Sequence, residues 1–344
     1  MANYKNKLQN LKNRRQDTLS KAFSLSESFN KNEYGDSTTY ALEAMEPINE
    51  TYTQNTYIAC EKVENQLKPG LKEYGINVDF RYQGSVPTNT HIKLYSDIDL
   101  LTIHDGFYTL ESPQVAAIPY EGDPLEDLKN LRRKSYRILD TVYTACEIDD
   151  TGSKCITISG GSLKRHIDII ASNWYNSLIY ANYKDEANRG IQILDRDNNR
   201  RIINYPFLHI YWINKKDDRV LGGEKRMIRL LKSLKADADF DIKVSSYDIA
   251  SMVYRMDDSS LIVNRWERHK LLLNTNAFLL KTINDNTFRD GLHVANGTRK
   301  IFCSDGAKVE EVAKLQRELQ ELINEIAREI RPLHESLEKS NIYY

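Results

Sequence analysis

Between Arg81 and Ile103 the chain reads RYQGSVPTNTHIKLYSDIDLLTI, and this stretch restricts the fold more than any other. It is strand, tight polar loop, strand. Gly84-Ser85 closes the first strand and Asp97-Ile98-Asp99 opens the second. Successive side chains of a strand point to opposite faces, so Asp97 and Asp99 share one face while Ile98 and Leu100 share the other. Two neighbouring carboxylates repel unless something cationic stands between them. A hard divalent ion suits the role, because it prefers oxygen ligands and often takes one or two carboxylates together with substrate phosphates. Gly84 allows close backbone approach to a ligand, and Ser85 adds a hydroxyl and a backbone N–H. The pattern suggests a metal-held nucleoside triphosphate.

Asp-x-Asp alone is a weak signal, and the chain holds three more instances: Asp195/Asp197, Asp237/Asp239 and Asp239/Asp241. These lack an attached apolar strand and read as solvated surface. Asp97/Asp99 differ by context, with Gln83-Gly84-Ser85 upstream and Leu100-Leu101-Thr102-Ile103 downstream. A further carboxylate, Asp168, stands inside the strand-like run His166-Ile167-Asp168-Ile169-Ile170, where an acid is costly to bury without a partner. His166 shares its face and reads as a hydrogen-bonded histidine rather than a ligand.

A chain of 344 residues has room for two lobes, and a net charge of −1 supplies no global attraction to nucleic acid or membrane. Cys60, Cys146, Cys155 and Cys303 have no C-x-x-C spacing, which argues against structural zinc and for reduced thiols in a cytoplasmic protein. The first residues lack an apolar signal core, and no uncharged run reaches membrane-spanning length. A soluble intracellular protein is expected.

In chain order, residues 1–34 carry a modest helical stripe of Leu8, Leu11, Leu19, Ala22 and Phe23. Gly35-Asp36-Ser37 interrupts it, with Ser37 or Thr38 as candidate caps. Ala41 to Leu67 reads as a long helix with Pro47 near its start or at a kink, ended by Pro69-Gly70. A loop follows Ile103, then a helix from Leu125 to Val142 with a basic side of Lys129, Arg132, Arg133, Lys134 and Arg137. Such a side is most often solvated, though it would also suit an activator or nucleic acid. Strands are expected around Lys154–Ser159 and His166–Ala171, joined by Gly160-Gly161, and more weakly at Ile191–Leu194 and Arg201–Ile203. From Tyr205 the pattern turns helical. The last helix, Val312 to about Leu337, repeats Leu315, Leu319, Leu322, Ile326, Ile330, Leu333 and Leu337. It is expected to pack on the protein's own N-terminal helices, since Pro332 would strain a long coiled coil.

Within Gly223–Ala236, Met227, Leu230, Leu231 and Leu234 gather on one side of a helix and Lys225, Arg229 and Lys232 on the other. The basic stripe would suit a polyphosphate, or simply a surface helix. Ser246-Tyr247 follows, a hydroxyl for a phosphate beside an aromatic for a base.

Gln83-Gly84-Ser85, Asp97-x-Asp99, the in-strand Asp168, Lys232 and Ser246-Tyr247 together resemble the CD-NTases, the bacterial cyclic GMP-AMP synthase-like and DncV-like nucleotidyltransferases of the polymerase β superfamily. The resemblance spans about residues 80 to 250, and order and spacing carry it. It implies an α+β, polymerase β-like fold: a mixed sheet bearing three carboxylates with N-terminal spine helices (residues 1–204), a helical lobe (205–344), and nucleotides in the cleft between them. It further implies that Asp97, Asp99 and Asp168 hold two Mg2+ ions, or Mn2+, and act in catalysis. Gln83, Gly84 and Ser85 would contact the donor nucleotide, Lys232 and Ser246 its phosphates, and Tyr247 its base. The zinc-binding insertion of the animal enzymes is absent.

The reaction so implied joins nucleoside triphosphates, without template, into a cyclic di- or trinucleotide messenger of anti-phage (CBASS) signalling, read by a separate downstream effector. No nucleic acid or membrane is required, and the chain is expected to act as a monomer. Asp168, arriving from its own strand, would serve the ion that activates the nucleophile. The same acids would also suit addition of nucleotides to RNA or protein. A catalytically idle binding module is disfavoured by the presence of all three acids.

Overall fold

The computed structural model describes residues 3–15, 34–93, 96–163, 165–264 and 267–340, with side chains up to 330 in the last stretch. Leu19, Ala22, Phe23, the side chains of Pro332, Leu333 and Leu337, and the final residues lie outside that description. The chain forms two compact units. One comprises residues 49–89 and 95–212, the other 1–48, 90–94 and 213–344.

The first unit is built on a seven-stranded mixed sheet. β1 (Val78–Gln83) pairs antiparallel with β2 (Ile98–Leu110), and β2 pairs parallel with β5 (Ile167–Asn176). A parallel neighbour needs a crossover, and helix α4 (Pro124–Val142) provides it. β4 (Ile156–Ser159) and β6 (Arg189–Asp195) share the far edge of β5, pairing with Ile167–Ile169 and Ser172–Asn176 in turn. β3 (Glu147–Asp149) and β7 (Arg200–Asn204) complete the outer edges.

Alternation along these strands divides the core. Ile98, Leu100, Ile156, Ile158, Ile167 and Ile169 turn to one face, where α3 (Glu50–Glu73) contributes Val63, Leu67 and Leu71, and α4 contributes Leu128, Leu131 and Leu139. Leu101, Ile103, Ile170, Trp174, Ile191 and Ile193 form the opposite apolar face. The expected spine helix is therefore present, but its bounds differ. The chain breaks at Pro47 between α2 (Asp36–Met45) and α3, and α3 runs through Pro69 to Glu73. Pro69 removes one hydrogen bond, while Gly70 lies so near Ile138 that a Cβ would stand 2.9 Å from it; close packing on α4 keeps the last turn helical. β2 likewise continues seven residues beyond Ile103, held by β5 on one side.

The basic side of α4 is not uniformly solvated. Arg132 is buried and donates to Asp150 and to the carbonyls of Gly152, Ser153 and Cys155, tying the helix to the turn before β4. Asp195, read from sequence as surface, is also buried, accepting from Ser153, Asn198 and Arg200. These short polar clusters fix turns that the sheet alone leaves open.

The second unit is helical. Tyr4, Leu8 and Leu11 of α1 (Tyr4–Arg15) and Tyr40, Ala41, Ala44 and Met45 of α2 share one core with Met227, Leu230, Leu231 and Leu234 of α7 (Gly223–Asp237). Leu315, Leu319 and Leu322 of the last helix, Val309–Ser340, complete it. That helix does pack on the N-terminal helices. Glu329 accepts from the backbone N–H groups of Ser37 and Thr38, so the start of α2 is capped by a distant carboxylate rather than by Ser37 or Thr38. An anion there meets both the unpaired N–H groups and the positive end of the helix dipole. Asp237, another of the supposed surface acids, accepts from Arg14 and from the Tyr40 hydroxyl. Helices α1 and α2 thus belong with the C-terminal helices, and not with the sheet as expected, because their apolar residues are buried there. The division also falls inside α6 (Pro206–Arg219) rather than at 204/205.

Candidate active site

The sheet brings the two in-strand acids together. Asp99 and Asp168 occupy one register position of the parallel β2–β5 ladder. They lie on the face of Leu101, Ile103 and Ile170. Burial, then the Asp168 charge, then Asp97 push the Asp99 carboxyl up to about 7, while a hydrogen bond from Gln83 works the other way. Asp97 stands exposed just before β2, near enough to act on Asp99. Among the described residues no three His, Cys, Asp or Glu side chains close into a metal-holding set by themselves. The gathering is two acids with a third at the rim.

Gly84 leaves β1 at φ +91°, a conformation L side chains rarely adopt, and a Cβ built there would stand 3.2 Å from Asp99 Oδ2. The glycine therefore opens the space in front of that carboxylate. Ser85 begins a turn closed by the Thr88 hydroxyl, which donates to the Ser85 carbonyl at 3.2 Å, and Val86 anchors the turn in the core. Gln83 pairs with Asp99 in the β1–β2 ladder, and its side chain accepts from Asn204 at 3.3 Å.

These residues fit a divalent cation. Asp99, whose ionisation is opposed by burial and by the neighbouring Asp168 and Asp97, gains most from a positive ion, and no lysine or arginine among the described residues pairs with Asp99 or Asp168. An open set of two or three carboxylates suits an ion that keeps water and phosphate ligands, as Mg2+ does.

Lys232, Ser246 and Tyr247 belong to the helical unit. Lys232 is buried and donates to the Thr90 carbonyl at 2.7 Å; burial, with Arg229, Lys235 and Lys93 nearby, lowers its ammonium to about 8. Its stripe-mates are also occupied, Arg229 donating to the Met45 carbonyl at 2.8 Å and Lys225 facing Asp217 at 3.7 Å. The basic stripe is thus an interior feature of this unit and not a free cationic surface. Ser246 is exposed at the first turn of α8 (Ser246–Tyr254), where the cap is Ser245, accepting from the Asp248 N–H. Tyr247 is half-buried with the Arg299 guanidinium 5.4 Å from its ring centre, and Arg299 is held by Asp248 at 2.7 Å. His166 is exposed beside β5 and plays no part in this cluster.

One residue escaped the sequence. Thr157 of β4 lies directly across from Asp168 and donates its hydroxyl to Oδ1 at 2.6 Å. Its only sequence signal is the alternation Ile156-Thr157-Ile158, which places a polar group on the acids' face once the pairing is known.

Paired acids within a mixed sheet, beside a glycine turn, suit a nucleotidyltransferase. Residues 212–325 match the cGAS/DncV-like nucleotidyltransferase C-terminal helical domain. The chain is 35% identical over 333 residues to the cyclic dinucleotide synthase CdnE of Yersinia aleksiciae, covering 94% of this chain and 87% of that one. The structure resembles the STING-associated CdnE c-di-GMP synthase of Capnocytophaga granulosa, with a TM-score of 0.78 at 33% identity over 95% of this chain and 99% of that one. It is also similar to a STING-associated CdnE c-di-GMP synthase from Flavobacteriaceae sp., with a TM-score of 0.79 at 26% identity over the same shares. The chain belongs to the CD-NTase family and is a nucleotidyltransferase of the cyclic dinucleotide synthase kind. No helix among the described residues is long and apolar enough to cross a membrane.

Proposed function

We propose that the protein condenses two molecules of GTP into c-di-GMP, releasing two pyrophosphates, with Asp97, Asp99 and Asp168 holding a pair of Mg2+ ions. The observation that carries the reading is the shared register of Asp99 and Asp168 beside the open backbone of Gly84. The choice of guanine is supported by the c-di-GMP synthases among the relatives. Bound at these acids, the ions would supply charge neutralisation at the reacting phosphate and a ribose hydroxyl of lowered pKa.

The chain's own residues do the positioning. Gly84 and Ser85 receive the triphosphate along the backbone, and Gln83 steadies Asp99. Tyr247, its ring backed by Arg299, offers a face to a base. Pre-set charge and alignment supply most of the rate in such transfers, since the protein forms no covalent bond to the nucleotide. The product is read by a separate effector in anti-phage defence within the cytoplasm.

Incubation of the protein with Mg2+ and the four triphosphates, followed by mass spectrometry, tests this directly. A product with the mass of c-di-GMP, lost in Asp99→Asn and Asp168→Asn variants of unchanged circular dichroism, is the expected result. A mixed or pyrimidine-containing ring would overturn the base assignment, and turnover by the Asn variants would overturn the site.

A further inference from the structure

Four side chains stand on one rung of the sheet. Gln83 pairs with Asp99 across β1 and β2, Asp99 with Asp168 across β2 and β5, and Asp168 with Thr157 across β5 and β4. Directly paired residues project to the same side, so the rung presents amide, acid, acid and hydroxyl along a single line. Each acid has a neutral hydrogen-bonding group on the strand outside it. Gln83 stands beside Asp99 on the paired strand and is itself held by Asn204. Thr157 donates to Asp168 Oδ1 at 2.6 Å, the length of a charge-assisted O–H···O− bond.

Nothing in the strand requires a hydroxyl at 157. Valine or isoleucine would satisfy β4 equally, as they do at Ile156 and Ile158. Threonine is β-branched and stiff at χ1, so a hydroxyl anchored on a paired strand holds its acceptor in a narrow range of angles. The contact takes one oxygen of Asp168 and thereby sets the rotation of the whole carboxylate. Groups in this relation to a metal-binding acid typically alter affinity about 10- to 100-fold when removed.

We propose that Thr157 is a positioning residue of the active site, fixing the Asp168 carboxylate in the orientation that accepts a divalent cation. The proposal deepens the reading given above and rests on it. Thr157 touches neither nucleotide nor metal in this scheme; it acts through Asp168.

The test uses the full chain with Thr157→Val and Thr157→Ser, and Mn2+ alone as the probe, titrated by electron paramagnetic resonance without nucleotide or turnover. The valine variant is expected to bind Mn2+ about tenfold more weakly, and the serine variant within about threefold of the parent. The Mg2+ concentration for half-maximal turnover should move by the same factor, while the KM for GTP at saturating Mg2+ changes less than about twofold. Unchanged Mn2+ affinity in Thr157→Val, with binding lost in Asp168→Asn, would remove the positioning role and leave the site assignment standing. Unchanged affinity in Asp168→Asn as well would remove both. Should the valine variant fail to fold by circular dichroism, Thr157→Ala against Thr157→Ser makes the same comparison.

Discussion

Asp168 stands directly across the parallel ladder from Asp99, and its charge adds to the cost that burial already imposes on ionising Asp99. The folded pKa of Asp99, about 7, lies above the value of about 4 in an unfolded chain, so between those limits the folded state binds more protons. Stability on this group's account is full below about pH 4 and falls as the pH rises through about 7, by on the order of 4 kcal/mol. In EDTA at pH 8, Asp99→Asn should therefore melt above the parent protein, and Mg2+ should raise the parent's Tm more than the variant's. Thermal melts at pH 5 and pH 8 check it; an equal pH slope in the two proteins would count against the desolvated pair.

Gly84 offers a second point of entry. Alanine there must adopt φ +91° and place a methyl 3.2 Å from Asp99 Oδ2. Strain of about 1–2 kcal/mol is expected, with at least a tenfold loss of turnover from obstruction of the space before the acid. Measured kcat and Tm should show activity falling far more than stability. Full activity would mean that no ligand comes close to this turn.

For Lys232, structure and proposed role are separable. Lys232→Met removes the donor to the Thr90 carbonyl and should cost about 1–3 kcal/mol in urea unfolding. If the ammonium also serves phosphate, the KM for GTP rises about tenfold or more at a temperature where the variant is fully folded. A stability loss with unchanged KM would assign the lysine to the fold alone.

The N-terminal helix is fastened by a buried pair. Lys7 and Glu318 meet at 2.5 Å, each side chain 5% exposed. Breaking one partner strands a charge in the interior, so Lys7→Met should destabilise by about 3–5 kcal/mol. Lys7→Met with Glu318→Leu should recover most of that loss. Chemical denaturation of the four proteins of the cycle measures the coupling, and a double variant as weak as the single one would contradict it.

The local alphabet of the site was legible because it obeys short-range rules. Ile98-Asp99-Leu100 and Ile167-Asp168-Ile169 declare acids on one face of apolar strands, and Gly84 declares a turn, whereas Asp97 falls just short of β2. The leucines of the last helix declare a packed face. Legibility ended wherever a partner is remote. Arg132 and Arg229 look like surface bases until Gly152, Ser153, Cys155 and Met45 present carbonyls to them. Ser37 and Thr38 look like caps until Glu329 arrives from nearly three hundred residues away.

Sequence by itself therefore determined which acids stand in apolar strands and where the glycine turn falls, since alternation and turn preference act over a few positions. Only tertiary structure decided their company. The order β1-β2-β5-β4 sets Gln83, Asp99, Asp168 and Thr157 on one rung, and it follows from long-range strand pairing that no local pattern encodes. The physical reason is that side-chain direction is fixed by the residue's own backbone, whereas its neighbours are fixed by the global minimum of burial and hydrogen bonding.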